Sequence, residues 1–261
     1  MGRSGRPPLP EPAPASPRLT VSADLYRLFW ENSKLGPVTV RSFQRRLDEY
    51  AATESVREEL RYPQASVPLA RRRDALGRLM DARRSERAFS DKPLPARRLG
   101  SIFAAFGTAR DGSRAFPSAG SSYPLEIFAL LTNVAGPLRG KVVHYEPLEH
   151  GLTPIADVPP WEECRPLINL EPVVGIPHVV VLFVLLPDRT TAKYGERGGR
   201  FVLIEVGHAA QNLALRLARE RLAGCEIGGL LDEGVRSVLG LDGTAAQIAL
   251  GYACGLARSG P

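Results

Sequence analysis

The spacing of apolar side chains divides the chain into short helices, four unbroken hydrophobic runs and one long helix. Apolar positions in residues 23–30 and 40–50 recur at helical spacing and predict two short helices, while the proline-marked residues 62–69 predict an extended arm. Residues 74–83 set Leu76, Leu79 and Met80 on one side of a helix, and residues 95–105 do the same with Leu99, Ile102 and Phe103, continued by Phe106. The runs at 127–131, 142–145, 179–186 and 248–252 read as strands covered on both faces. The longest helix is expected over 200–223, with Phe201, Ile204, Ala209, Leu213 and Leu217 in near-helical register and Gly224 as the residue that ends it.

Composition sets the scale of this pattern. A chain of 261 residues that is 44% hydrophobic and 24% charged can bury one sizeable core. Residues 1–22 are rich in proline, alanine and small polar groups and are expected to form a disordered tail, followed by an arm over 23–70 and one domain over 71–258. The net charge of +6 favours anionic partners in general, but the arginines lack interleaved aromatic platforms, so nucleic-acid binding is not expected. Cys164, Cys225 and Cys254 form neither a CxxC pair nor a metal-ligand spacing, so a reduced compartment and no metal are expected. The N-terminus has no apolar signal core and the run at 179–186 is too short to span a bilayer, so the expectation is a cytoplasmic chain without membrane attachment.

Two polar segments carry candidate chemistry. Residues 83–89 read RRSERAF, and Arg83, Arg84 and Arg87 with the Ser85 hydroxyl could fork around a phosphate, although an isolated RRSxR also reads as a solvated basic turn. Residues 117–124 read PSAGSSYP, where Pro117, Ser118, Ala119 and Gly120 make a small, hydroxyl-bearing loop that lets backbone approach a flat ring, or a plain tight connection into a strand. KYGERGGRF at 193–201, EVGHAAQNLALRLA at 205–218, IGGLLDEGV at 227–235 and LGLDG at 239–243 follow in order. GxGxxG, GxxxxGK[ST], HExxH and GxSxG are absent, which removes the Rossmann, P-loop, zincin and serine-hydrolase readings.

Over residues 70–255 this succession resembles the nitroreductase superfamily of flavin mononucleotide (FMN) proteins, and within it the SagB-type dehydrogenases that oxidise azolines to thiazoles and oxazoles. The resemblance implies an α+β fold with a mostly antiparallel central sheet surrounded by helices, in an intertwined homodimer with two FMN sites at the subunit interface. It assigns Arg83, Arg84, Ser85, Arg87, Pro117, Ser118, Ala119, Gly120, Gln211, Ile227, Gly228 and Gly229 to the cofactor. Lys193 and Tyr194 become the catalytic pair, with Lys193 as proton acceptor while FMN takes hydride.

Further partners implied are an azoline-containing precursor peptide and a cyclodehydratase complex. A NAD(P)H-dependent nitroreductase or quinone reductase is the rival enzyme, and a flavin-free scaffold subunit the rival of another class. His208 on the long helix reads as a hydrogen-bonded core residue, and Asn212 as structural. Relatives often carry an aromatic residue where this chain has Gly199, so a more open substrate face is expected there.

Overall fold

The computed structural model describes residues 24–52, 63, 65–70, 74–168 and 173–258, so the expected tail over 1–22 lies outside the described residues. Six strands form one sheet in the order β3-β2-β1-β4-β6-β5. They are β1 (Leu125–Leu131), β2 (Lys141–Glu146), β3 (Gly151–Asp157), β4 (Val179–Leu185), β5 (Ala223–Ile227) and β6 (Gln247–Gly255). Every neighbouring pair is antiparallel, as the resemblance implies.

The helices are α1 (Asp24–Ser33), α2 (Thr39–Ala51), α3 (Ala75–Ala82), α4 (Arg97–Phe103), α5 (Trp161–Ile168), α6 (Asp188–Tyr194), α7 (Glu196–Glu220) and α8 (Asp232–Val238). Alternation along the central strands sends side chains to opposite faces. Val179, Val181, Phe183 and Leu185 of β4 meet α4 and α7 on one side, where Leu99, Ile102, Phe103 and Leu213 are buried. Val180, Leu182 and Val184 meet Cys164 and Ile168 of α5 and Val235 of α8 on the other. Two covered faces explain why β4 is buried at every position and why its sequence shows no polar alternation.

Several elements depart from the pattern expected from sequence. β3 is an exposed edge strand containing Pro154, tolerated there because an edge leaves amides unpaired. The short helices α5 and α6 lie where no helical period was visible. The long helix starts earlier and stops earlier than expected: α7 ends at Glu220 on Arg221, held left-handed at φ 54°, with the Leu222 amide donating 3.0 Å to the Leu217 carbonyl.

Gly224 therefore does not cap α7 but sits inside β5. A Cβ there would lie 2.6 Å from Leu217 and 2.9 Å from Tyr252, so glycine allows the helix end and β6 to close on the strand. Asp74 caps α3, accepting from the Gly77 amide at 2.8 Å, but Leu76 and Met80 remain 53% exposed. The thiols of Cys164, Cys225 and Cys254 are free and buried. Among the described residues no helix is long and apolar enough to cross a membrane.

Candidate functional site

The loop before β1 is built from unusual backbone. Residues 119–121 form one 3-10 turn, with Gly120 at φ 57°, Ser121 at φ 55° and Tyr123 at φ 42°. Two of these are not glycine, so the loop depends on outside contacts to hold residues in a region that costs about 1–2 kcal/mol each. Those contacts are specific: the Tyr123 amide donates to Ser118 Oγ at 2.9 Å, Ser122 and Thr190 share a hydroxyl bond at 2.7 Å, and Arg189 donates to the Tyr123 carbonyl at 3.0 Å. Arg114 stacks 5.4 Å from the Tyr123 ring centroid.

Lys193 and Tyr194 occupy the last turn of α6 rather than a loop. A Cβ on Gly120 would lie 2.5 Å from Lys193 Nζ and closer still to Tyr194 Oη, and the positive φ of 57° itself favours glycine here. The two strings PSAG and KY, 73 residues apart from Gly120 to Lys193, thus form one cluster. Lys193 is exposed, its Nζ 5.4 Å from the Tyr194 ring centroid, and that ring meets Phe201 edge-on at 5.2 Å.

Glu205 belongs to the same neighbourhood and was not singled out from sequence. It is only 3% exposed on the buried side of α7, and burial pushes its carboxyl up to about 7 against the opposing pull of the Ser118 hydroxyl and Arg114. Its Oε1 has no hydrogen-bond partner among the described residues. The available signal was an acidic residue on the stripe formed with Val202, Val206, Ala209 and Leu213.

The arginine segment lies elsewhere. The Glu86 amide donates to the Gly224 carbonyl of β5 at 2.9 Å, and the Phe89 amide to Val174 at 2.8 Å. A cavity of about 280 Å³ opens beside it, lined among others by Arg84, Glu86, Leu217, Arg221 and Tyr252. Arg84 folds back onto the carbonyls of Asp81 and Arg83, whereas Arg83 and Arg87 have no ion-pair partner among the described residues. Arg258 joins this region, its amide donating to Ala88 at 2.9 Å.

Ile227 ends β5, so Gly228 and Gly229 follow a strand. A Cβ on Gly228 would meet nothing within 4 Å, which leaves its backbone open to approach. At 1.5 Å rise per residue, Glu205 near the loop and Leu217 near the arginines are about 18 Å apart along α7. The chain therefore carries two separated groups of expected site residues.

Three further expectations are corrected or refined. His208 is exposed, not a core residue. Gln211 is exposed on the same side of α7, while Asn212 is structural, its amide donating to the Ala115 carbonyl at 2.9 Å. The face at Gly199 is not open, because the Tyr26 ring from α1 fills the space. A Cβ on Gly199 would lie 2.9 Å from Tyr26 Cγ and 3.0 Å from Cε2.

Comparison with known proteins bears on the fold and the family. A protein of the nitroreductase type from Methanocaldococcus jannaschii is 36% identical over 60% of this chain and 80% of its own length. The Escherichia coli microcin B17-processing protein McbC is 31% identical, the match spanning 53% of each chain, or about half the length of that relative. Among solved structures, a chain of the E. coli microcin synthetase McbBCD complex with truncated pro-MccB17 bound superposes at a TM-score of 0.62 with 25% identity, covering 82% of this chain and 81% of that one. A nitroreductase-type structure from Ralstonia eutropha gives 0.61 at 22% identity, over 79% of this chain and 99% of its own. The Nitroreductase family model matches residues 80–256, and the chain belongs to that family.

Proposed function

We propose that this protein is an FMN-dependent dehydrogenase that oxidises thiazoline or oxazoline rings in a modified precursor peptide, with two copies of the chain completing each site. The observation that carries the reading is the convergence of Gly120, Lys193 and Tyr194, which sets a basic amine and a phenol against a loop shaped for a flat ligand. The donor set fits FMN. Arg83 and Arg87, without carboxylate partners among the described residues, suit its phosphate, and the open backbone at Gly228 and the cradle at Gly120 suit its ring.

Because the two groups of residues are separated along α7, a second copy would bring the Gly120 loop of one protomer to the Arg83 segment of the other. Leu203 and Ile204, 39% and 54% exposed on α7, offer apolar surface for that pairing. Bound FMN supplies a two-electron acceptor that oxygen can reoxidise. The chain's own part is to take the proton: Lys193 Nζ, in its neutral amine form, receives it from the ring carbon, while Tyr194 orients the amine and Phe201 fixes the Tyr194 ring.

A peptide substrate is supported by the name of the E. coli relative and by the pro-peptide in the solved complex. Incubation of the yellow protein with an azoline peptide should lower the peptide mass by two hydrogens per ring. A colourless protein that takes up no FMN would leave the scaffold reading. Rapid NAD(P)H oxidation with a nitroaromatic, without change in an azoline peptide, would favour the nitroreductase reading that the archaeal relative suggests.

A further inference from the structure

The antiparallel register sets Leu125, Leu185 and Gln247 side by side at one end of the sheet. The loop holding Gly120 enters there, α6 leaves from there, and Ile227 leads to Gly228 and Gly229 on the same side. The arm, α1 with residues 34–36, crosses this end and is anchored to it at three places. The Tyr26 amide donates to Glu196 Oε2 at 2.9 Å, and Tyr26 Oη donates to Gln247 Oε1 at 2.7 Å. At the far end of the arm the Leu35 amide donates to Asp232 Oδ2 at 3.0 Å, and the Asp232 amide donates back to the Leu35 carbonyl at 3.3 Å.

Asp232 is only 8% exposed, so a carboxylate of the domain that has lost its water is met by an amide of the arm. Lys34 reinforces that contact, its Nζ 2.9 Å from Glu233. Between the two ends Trp30 is 6% exposed, its ring centroid 6.1 Å from that of Tyr26. A helix packed for stability alone has no need of anchors on the segments that flank the expected site. Here Glu196 follows Lys193 and Tyr194, and Asp232 follows Gly228 and Gly229, each within three residues. The corner between α6 and α7 also turns on Gly195 at φ 57°, a residue free to pivot, and the bond to Glu196 holds the far side of that pivot.

We infer that residues 24–36 are a clasp: anchored on Glu196 at one end and Asp232 at the other, it holds the Lys193–Tyr194 corner in place relative to the Gly228–Gly229 segment. Glu196 and Asp232 are then positioning residues, acting through the arm. The consequence for turnover rests on the azoline-oxidising function proposed above; the clasping of the two segments does not.

The test uses the full chain with its flavin and compares the natural protein with Asp232→Leu, Asp232→Asn and Glu196→Ala. Asparagine keeps an acceptor for the Leu35 amide, and leucine does not. Hydrogen exchange read by mass spectrometry follows residues 24–36, 191–198 and 227–233, alongside kcat and KM on an azoline peptide. Asp232→Leu should speed exchange about tenfold in the arm and also at the distant 191–198 corner, while FMN stays bound. Its kcat should fall about 10- to 100-fold with KM changed less than about twofold, the signature of a misplaced group rather than of lost substrate binding. Asp232→Asn should restore both readouts to near the natural values. Glu196→Ala should act from the opposite end and speed exchange in 227–233, which decides the matter if Asp232→Leu does not fold. Faster exchange confined to the segment beside each substitution, or a loss in Asp232→Asn equal to that in Asp232→Leu, would overturn the inference. Coupled exchange in a protein that turns over no azoline peptide would instead remove the proposed reaction and leave the clasp standing.

Discussion

Gly199→Ala probes how the arm helix is seated on the domain. Carbon atoms pack at about 3.5–4.0 Å, but the new Cβ would lie 2.9 Å from Tyr26 Cγ and 3.0 Å from Cε2. The ring must retreat by up to about 1 Å, an overpacking that costs about 1–3 kcal/mol. Retreat also strains the bond from Tyr26 Oη to Gln247, 2.7 Å long, and a hydrogen bond of that kind contributes about 0.5–1.5 kcal/mol. Against this, replacing glycine by alanine in a helix interior gains about 1 kcal/mol.

The net expectation for Gly199→Ala is a loss of about 1–2 kcal/mol. Tyr26→Ala removes the obstruction, so in its background Gly199→Ala should become stabilising by about 1 kcal/mol. Urea titration of the four proteins at one concentration gives the coupling energy, expected at about 2–3 kcal/mol. Stabilisation by Gly199→Ala in the natural background, or additivity within about 0.5 kcal/mol, would refute the seating of Tyr26 on α7.

Lys193→Ala should keep the bound pigment but lower azoline oxidation by about 10²–10⁴-fold, measured by peptide mass loss over time. Arg83→Ala or Arg87→Ala should weaken FMN binding by roughly 10–100-fold in a fluorescence-quenching titration, since each loses a charged donor worth about 1.5–3 kcal/mol. Glu205→Gln should change the pH dependence of stability. A carboxyl raised in the fold from its ordinary value of 4.5 to about 7 contributes stability that is present below the unfolded value and lost as pH rises through the folded one. Chemical denaturation should therefore show Glu205→Gln gaining roughly 3 kcal/mol on the natural protein between pH 5 and pH 8. Phe183→Ala should cost about 3–5 kcal/mol, because Phe183 is fully buried and meets the Phe106 ring edge-on at 5.6 Å.

The central strands were legible because β1 and β4 are covered on both faces, which demands unbroken apolar sequence. β3 escaped because nearly all of it faces water and it holds a proline. β5 escaped because Gly224, placed just after a long helix, mimics a cap, whereas its role is close packing against Leu217 and Tyr252. α6 offered no apolar stripe, since its buried member is Thr190. Each miss marks a place where burial was decided by partners distant in sequence rather than by local periodicity.

The candidate site divides along the same line. RRSER, PSAG and KY were visible as strings, because cations, a positive-φ glycine and an amine beside a phenol carry their chemistry locally. Contacts between strings were not: nothing near Gly120 announces Lys193, and nothing near Gly199 announces Tyr26, which lies 173 residues away. Glu205 is the instructive case between these two. Its place on the apolar stripe of α7 was readable from spacing, yet its near-complete burial with Oε1 unpartnered among the described residues is set by what packs on α7 from elsewhere in the chain. A carboxyl buried with one oxygen unpartnered is costly to ionise, so the residue least explained by helix packing is the one whose protonation the fold itself controls.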